Sequence, residues 1–248
     1  MLAFYKARFG NAADFTLFMV GAFQVDQALP LLARYVGSLP STGTKTAQFK
    51  DVGIHFPAQI VRDTVRKGRE PVARTVMSFY ADVPPDALEQ EKAQAATFVL
   101  DTTLRDVLRE DLGQTYTVSV GLAQSYPQRG GGSVQVSFNA DPNNIDGMID
   151  RVMDEVKKLQ ERGPAASLVD KAKESARRTY EESLKENGYW LGRLQRVHMI
   201  GADPKEILTR DDRIKWITPE AIQDELKKLF PMNRYTIVTL KPETTAAR

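Results

Sequence analysis

Between residues 84 and 138 the hydrophobic period changes once, and that change restricts the fold more than anything else in the chain. PPDALEQEKAQAATFVLDTTLRDVLREDLG reads as one long helix. Asp86 is a strong N-cap with Glu89 placed as in a capping box, and Gly113 is a helix stop. Directly after it, TYTVSVGLAQSY and GGSVQVSFNAD alternate strictly: Tyr116, Val118, Val120 and Leu122, then Val134, Val136 and Phe138. Such alternation requires a sheet with one buried and one polar face, and PQRGGG between the two runs predicts a turn. The stretch LREDLGQTYTVSV, residues 108–120, is therefore a helix–glycine–strand corner with Arg109 at its helical end and Tyr116 at its strand end.

The remaining elements follow by the same reading. FTLFMVGAF, 15–23, predicts a buried strand. Ala28, Leu31, Leu32, Tyr35 and Val36 have helical spacing, with Pro30 tolerated or kinking. SLPSTGTKTAQF, 38–49, is the best linker in the chain. Strands are expected around Ile60–Val65 and Ala73–Tyr80, with KGREP between them suggesting a hairpin. Ile145, Met148, Ile149, Val152, Val156 and Leu159 form one helical stripe that ends at Gly163. Helices follow at about 166–187, 189–200, 204–214 and from Pro219 to Phe230, and RYTIVTL, 234–240, is the last strand.

There is also an internal echo. FYKARFGNAADFTLFMV and LKKLFPMNRYTIVTL share a layout: a helix ending in an aromatic, an Asn-containing turn, then an apolar run. Residues 1–44 are accordingly expected to be the strand–helix tail and linker of a preceding copy, and 45–248 a nearly complete second copy. The start, MLAFYKARFG, looks like part of an amphipathic helix and carries no basic leader before an apolar stretch, so it reads as a fragment and not as a signal peptide.

Composition excludes several functions. A net charge of +2 is too balanced for nucleic acid or an anionic membrane to be the main partner. No apolar run reaches the ~18–20 residues of a membrane span. With no cysteine there is no disulfide, thiolate zinc site or thiol nucleophile. The two histidines, His55 and His198, carry neither an H-x-x-E-H nor an H-E-x-x-H pattern, and a zinc hydrolase site needs about three protein ligands. There is no G-x-S-x-G elbow, and GGG at 130–132 lacks the following Lys-Ser/Thr of a phosphate loop. Lys171, Lys173, Arg177 and Arg178 are interleaved with Asp170, Glu174, Glu181 and Glu182, as on a solvated helix face.

What remains is Arg109 and Tyr116. A cation suits a helix C-terminus without any function, and Tyr116 shares the core alternation of Val118 and Val120. The same pair also suits substrate work. A guanidinium pairs with a peptide carbonyl or carboxylate, and a phenol at a strand end donates to a developing oxyanion.

Several phrases resemble one family. FTLFMVGAF followed by LPLLARYVGSLP resembles a segment of the pitrilysin/insulinase-type (M16) zinc peptidases. LREDLGQTYTV resembles that family's L-R-E-x-x-G-x-x-Y corner, and NADPNNIDGMIDRVMDEVKKLQERGP through SLKENGYWLGRLQ is similar to its C-terminal half. The resemblance implies an α+β fold of the metallopeptidase M16/LuxS-like kind: a mixed, mainly antiparallel sheet with helices packed on one face, preceded by the tail of a previous copy. It implies that this chain is the C-terminal part, without zinc or catalytic ligands of its own. Zinc is expected in an N-terminal half bearing H-x-x-E-H, in the same polypeptide or a partner subunit. Arg109 and Tyr116 would reach into the closed chamber to hold peptide substrate and transition state. Inactive scaffold or peptide-binding subunits of the same fold are the alternative, and the presence of both Arg109 and Tyr116 favours the protease part. The sequence names no compartment, and bacterial members of the family suggest the periplasm. The open edge of a truncated sheet would allow a homodimer.

Overall fold

The last strand in the chain lies at the centre of the sheet. In the computed structural model, which describes residues 1–112, 117–124, 126 and 132–243, with side chains throughout except at 109–112, five strands form one sheet in the order β1-β5-β2-β4-β3. They are β1 (Val61–Arg66), β2 (Ala73–Tyr80), β3 (Val118–Ala123), β4 (Ser133–Ala140) and β5 (Tyr235–Lys241). β1 runs parallel to β5, whereas β5–β2, β2–β4 and β4–β3 are antiparallel. The mixed, mainly antiparallel sheet matches the expected fold class, and β2 has the expected bounds.

The expected β1–β2 hairpin is corrected. β5 lies between the two strands, and Lys67 N–H donates to the Lys241 carbonyl at 3.0 Å just beyond the paired residues. Alternation fixes which face a strand buries and says nothing about its neighbour.

The chain packs as two compact units: Met1–Val52 with Glu181–Pro204, and Gly53–Tyr180 with Lys205–Arg248. In the second, α3 (Ala87–Leu112) and α4 (Ile145–Arg162) cover one face of the sheet, and α8 (Pro219–Leu229) packs against both helices. Val99, Leu100 and Leu104 of α3 meet Met77, Val136 and Phe138 in a core without solvent access. Phe79 contacts two rings, Phe230 at 5.0 Å and Tyr235 at 5.4 Å between centroids. Burial of this kind contributes about 25 cal/mol per Å² and dominates the stability of the unit.

The helices start and stop where their side chains dictate. Asp86 Oδ1 accepts from the N–H groups of Leu88 (2.8 Å) and Glu89 (3.0 Å), and Thr218 Oγ1 accepts from Ala221 N–H at 3.1 Å. The Glu89 carboxylate bonds Lys92 (2.8 Å) and Lys228 (3.2 Å). Those hydrogen bonds, Lys92's first, hold its pKa below the ordinary value. Gly163 closes α4 at φ 71°, a conformation that favours glycine. α5 (Ala166–Ser183) buries Val169, Ala172 and Tyr180. α7 (Arg210–Ile214) is tied to α3 by Arg210, whose guanidinium grips Glu91 through contacts of 2.8–3.1 Å, both side chains being buried.

The first unit contains α1 (Leu2–Phe9), α2 (Val25–Tyr35, with Pro30 inside) and α6 (Asn187–Ile200). Neither α1 nor α2 buries a single residue. The strand expected at 15–23 does not form. No sheet neighbour reaches this stretch among the described residues, and a strand exists only through its ladder. The 38–49 segment is held more firmly than a linker: Asn11 Oδ1 accepts from Thr42 N–H at 3.0 Å, and Asp14 accepts from Thr46 N–H (2.6 Å), Thr46 Oγ1 (2.7 Å) and Ala47 N–H (2.8 Å).

Candidate functional site

The corner between α3 and β3 is fixed by one side chain that the sequence gave no reason to single out. Asp101, on α3, accepts a hydrogen bond from the Val120 N–H at 3.0 Å. β3 is the outermost strand, so a helix carboxylate satisfies a donor on its free edge. Asp101 also pairs with Arg105 at 2.8 Å. Val118 packs into the core beneath. The helix end and the strand start are thereby held at a set distance on either side of the corner.

Arg109 has its backbone in the last turn of α3, where the helix dipole favours a cation. Its side chain, Tyr116 and Gly113 lie outside the described residues, so the structure does not report on a shared cleft for Arg109 and Tyr116.

β3 belongs to a sheet whose second face carries no helix. Cross-strand register lines up Ser119, Ser137, Val76 and Val238 in one row of that face, and Gly121, Gln135, Ser78 and Thr236 in the next. Ser119 Oγ and Ser137 Oγ are 2.9 Å apart. Toward the far end of β2, Tyr80 donates to Thr236 Oγ1 at 2.6 Å, stacks on Phe56 at 4.2 Å, and has the Arg234 guanidinium 5.8 Å from its ring centroid. Arg234 Nε donates to the Pro57 carbonyl at 3.0 Å. The face is thus hydroxyl-rich in the middle and aromatic–cationic at one end, chemistry suited to an extended chain with its own backbone donors and acceptors. The polar half of the β3–β4 alternation signalled this face, but the Phe56–Tyr80–Arg234 cluster had no sequence signal, because its members come from three separate segments.

The remaining candidates have ordinary surroundings. His198 on α6 lies 3.1 Å from Thr16 Oγ1 and edge-on to the Phe18 ring. His55 sits in an irregular segment. Of the GGG run, Gly132 is described. Its N–H donates to Asp82 Oδ1 at 3.0 Å and its carbonyl accepts from Ala81 N–H at 3.1 Å, which anchors the start of β4. Catalytic zinc of the family's kind does not fit the residues present. The sequence offers two histidines and no paired motif, and among the described residues no group of three His, Cys, Asp or Glu converges. Among the same residues, no helix is long and apolar enough to cross a membrane.

Residues 1–176 match the family described as the Peptidase M16 inactive domain. The chain is 26% identical to the zinc protease PQQL-like protein of Arabidopsis thaliana, over 97% of this chain and 28% of that protein. Its fold is like that of a peptidase M16 inactive domain from Pseudomonas fluorescens, with TM-score 0.78 and 18% identity over 100% of this chain and 59% of that one. It is also like the periplasmic protease PqqL from Escherichia coli, with TM-score 0.73 and 18% identity over 90% of this chain and 25% of that one. The chain therefore spans about a quarter of the length of these two longer proteins, PQQL-like and PqqL. With more than half of its length matched by one family and the same α+β fold in its structural neighbours, the chain belongs to the Peptidase M16 inactive domain family.

Proposed function

We propose that this chain is the zinc-free, substrate-holding part of an M16-type peptidase, closing the chamber and positioning a peptide for hydrolysis by a zinc-bearing N-terminal half. The observation that carries the reading is membership of the M16 inactive-domain family in a chain without H-x-x-E-H that keeps the Leu108–Tyr116 corner. Asp101 supports it by bracing that corner against β3. In this reading Arg109 pairs with a peptide carbonyl or carboxylate, and the Tyr116 phenol donates to the oxygen on which charge develops. The helix-free sheet face forms part of the chamber wall. The partner is a zinc-bearing half of the same fold, in the same polypeptide or a second subunit, and the substrates are unfolded peptides. The compartment is the periplasm, by likeness to a protease described there.

Zinc content and hydrolysis of an unstructured fluorogenic peptide, measured for this chain alone and with a zinc-bearing half, test the proposal. Activity in the mixture alone is expected. No activity with an intact zinc-bearing half would replace it by a scaffold role, and zinc-dependent hydrolysis by this chain alone would overturn it.

A further inference from the structure

The stretch Phe15–Val20 has the marks of a central strand without its sheet. Phe15 is extended, at φ −99° and ψ 148°. Among the described residues, Thr16–Val20 make no backbone hydrogen bond on either side. Phe15, Leu17 and Met19 alternate along the stretch, each close to half exposed or more. The intervening Phe18 meets the His198 ring at 5.4 Å. A ladder of unmet donors and acceptors between apolar side chains is costly to leave in water.

The chain shows what such a stretch does when it is satisfied. Aligning Phe9 with Phe230 sets Tyr5 opposite Leu226, and Phe15-Thr16-Leu17-Phe18 echoes Tyr235-Thr236-Ile237-Val238 of β5. β5 has a parallel neighbour on one edge and an antiparallel neighbour on the other. In that sheet Phe79, from the antiparallel neighbour, contacts both Phe230 and Tyr235. Phe9 and Phe15 lie 6.1 Å apart with no third ring among the described residues.

We propose that Phe15–Val20 is a donated central strand. It completes the sheet of a further α+β unit of this family, one that lacks its own final helix and strand, pairing parallel on one edge and antiparallel on the other. The antiparallel neighbour inserts an apolar side chain against Phe9 and Phe15, and α1 joins the acceptor's helical layer. A second copy of this chain is not the acceptor, because β5 already fills that position in its sheet. The inference rests on the proposed partnership with another unit of the family, but not on Arg109 or Tyr116.

Hydrogen–deuterium exchange tests it, on this chain alone and on the natural-length protein or complex isolated from cells through a C-terminal tag. In the isolated chain the Phe15–Val20 amides exchange freely. In the natural assembly they slow by at least ~100-fold, as for strands that open only on subglobal unfolding, and the protecting polypeptide is an M16-type α+β unit. Leu17→Pro removes a ladder donor and abolishes the protection, Leu17→Val keeps it, and neither changes the melting of the isolated chain. Equal exchange in both samples, or protection arising only from concentration-dependent self-association, would overturn the proposal. Arg109→Ala and Tyr116→Phe leave the exchange unchanged, so loss of hydrolysis and loss of strand donation are read separately.

Discussion

Asp101 of α3 holds the Val120 N–H of β3 at 3.0 Å, so the helix and the sheet edge leading into the 113–116 corner move as one piece. Removing the carboxylate in Asp101→Ala is expected to cost about 2 kcal/mol, the scale of a hydrogen bond to a charged group. Urea unfolding reads the loss, and faster exchange at the Val120 amide locates it. An unchanged midpoint with unchanged exchange would show that the bond braces nothing.

Arg109→Ala and Tyr116→Phe should separate binding from folding. In the mixture with a zinc-bearing half, each is expected to lower kcat/KM roughly 10–100-fold, within the range for losing one transition-state donor or anchor. The unfolding midpoint of the chain should stay in place. A fall in stability that matches the fall in activity would return both residues to a purely structural role.

The Glu91–Arg210 pair ties α7 to α3 while buried, so breaking one side leaves a charge without its counterpart. Arg210→Met alone should destabilise the sheet unit by about 3–5 kcal/mol, whereas Glu91→Leu with Arg210→Met should recover much of the loss. Thermal melts of the two singles and the double decide the matter, and strictly additive losses would refute the coupling.

Asp14 offers a pH test. Its pKa lies below the ordinary carboxylate value because Ala47 N–H, then the Thr46 hydroxyl and N–H, donate to its ionised form. A depressed carboxylate pKa contributes stability that is full above the unfolded value and disappears as pH falls through the folded value. The 41–47 segment should therefore stay clasped at neutral pH and loosen only in strong acid, seen as Thr46 and Ala47 amide shifts that titrate together. Asp14→Asn should show those loosened shifts at neutral pH.

A Cβ at Gly132 would run into the Ala81 carbonyl oxygen, and Gly132 bonds to Ala81 and Asp82 through its backbone. Gly132→Ala should cost about 1–3 kcal/mol by overpacking. Chemical denaturation tests this, and a neutral result would mean the β2–β4 end gives way easily.

Much of this architecture could be read from sequence, wherever a local signal decided the matter. The α3 start was visible because Asp86 caps it, and the inward faces of β3 and β4 because alternation fixes them. Strand neighbours were not legible: β5 enters between β1 and β2 from far along the chain, and no local pattern encodes that pairing. Phe15–Val20 read as a strand because its composition is that of one, although nothing among the described residues completes its ladder. At the site, resemblance carried Arg109 and Tyr116, whereas Asp101 looked like any carboxylate on a long helix until Val120 was seen beside it.

The order of the sheet also sets a timetable for synthesis. β1 has β5 as its neighbour, and β2 keeps one bare edge until β5 arrives. While the ribosome is still translating toward Lys241, the nascent sheet can close only its β2–β4–β3 portion. β1, threaded out long before, has to wait beside it. The unit is committed to late closure, and an mRNA cut short ahead of Tyr235 would release a polypeptide with an open seam through the middle of its sheet, a natural target for chaperones and proteases.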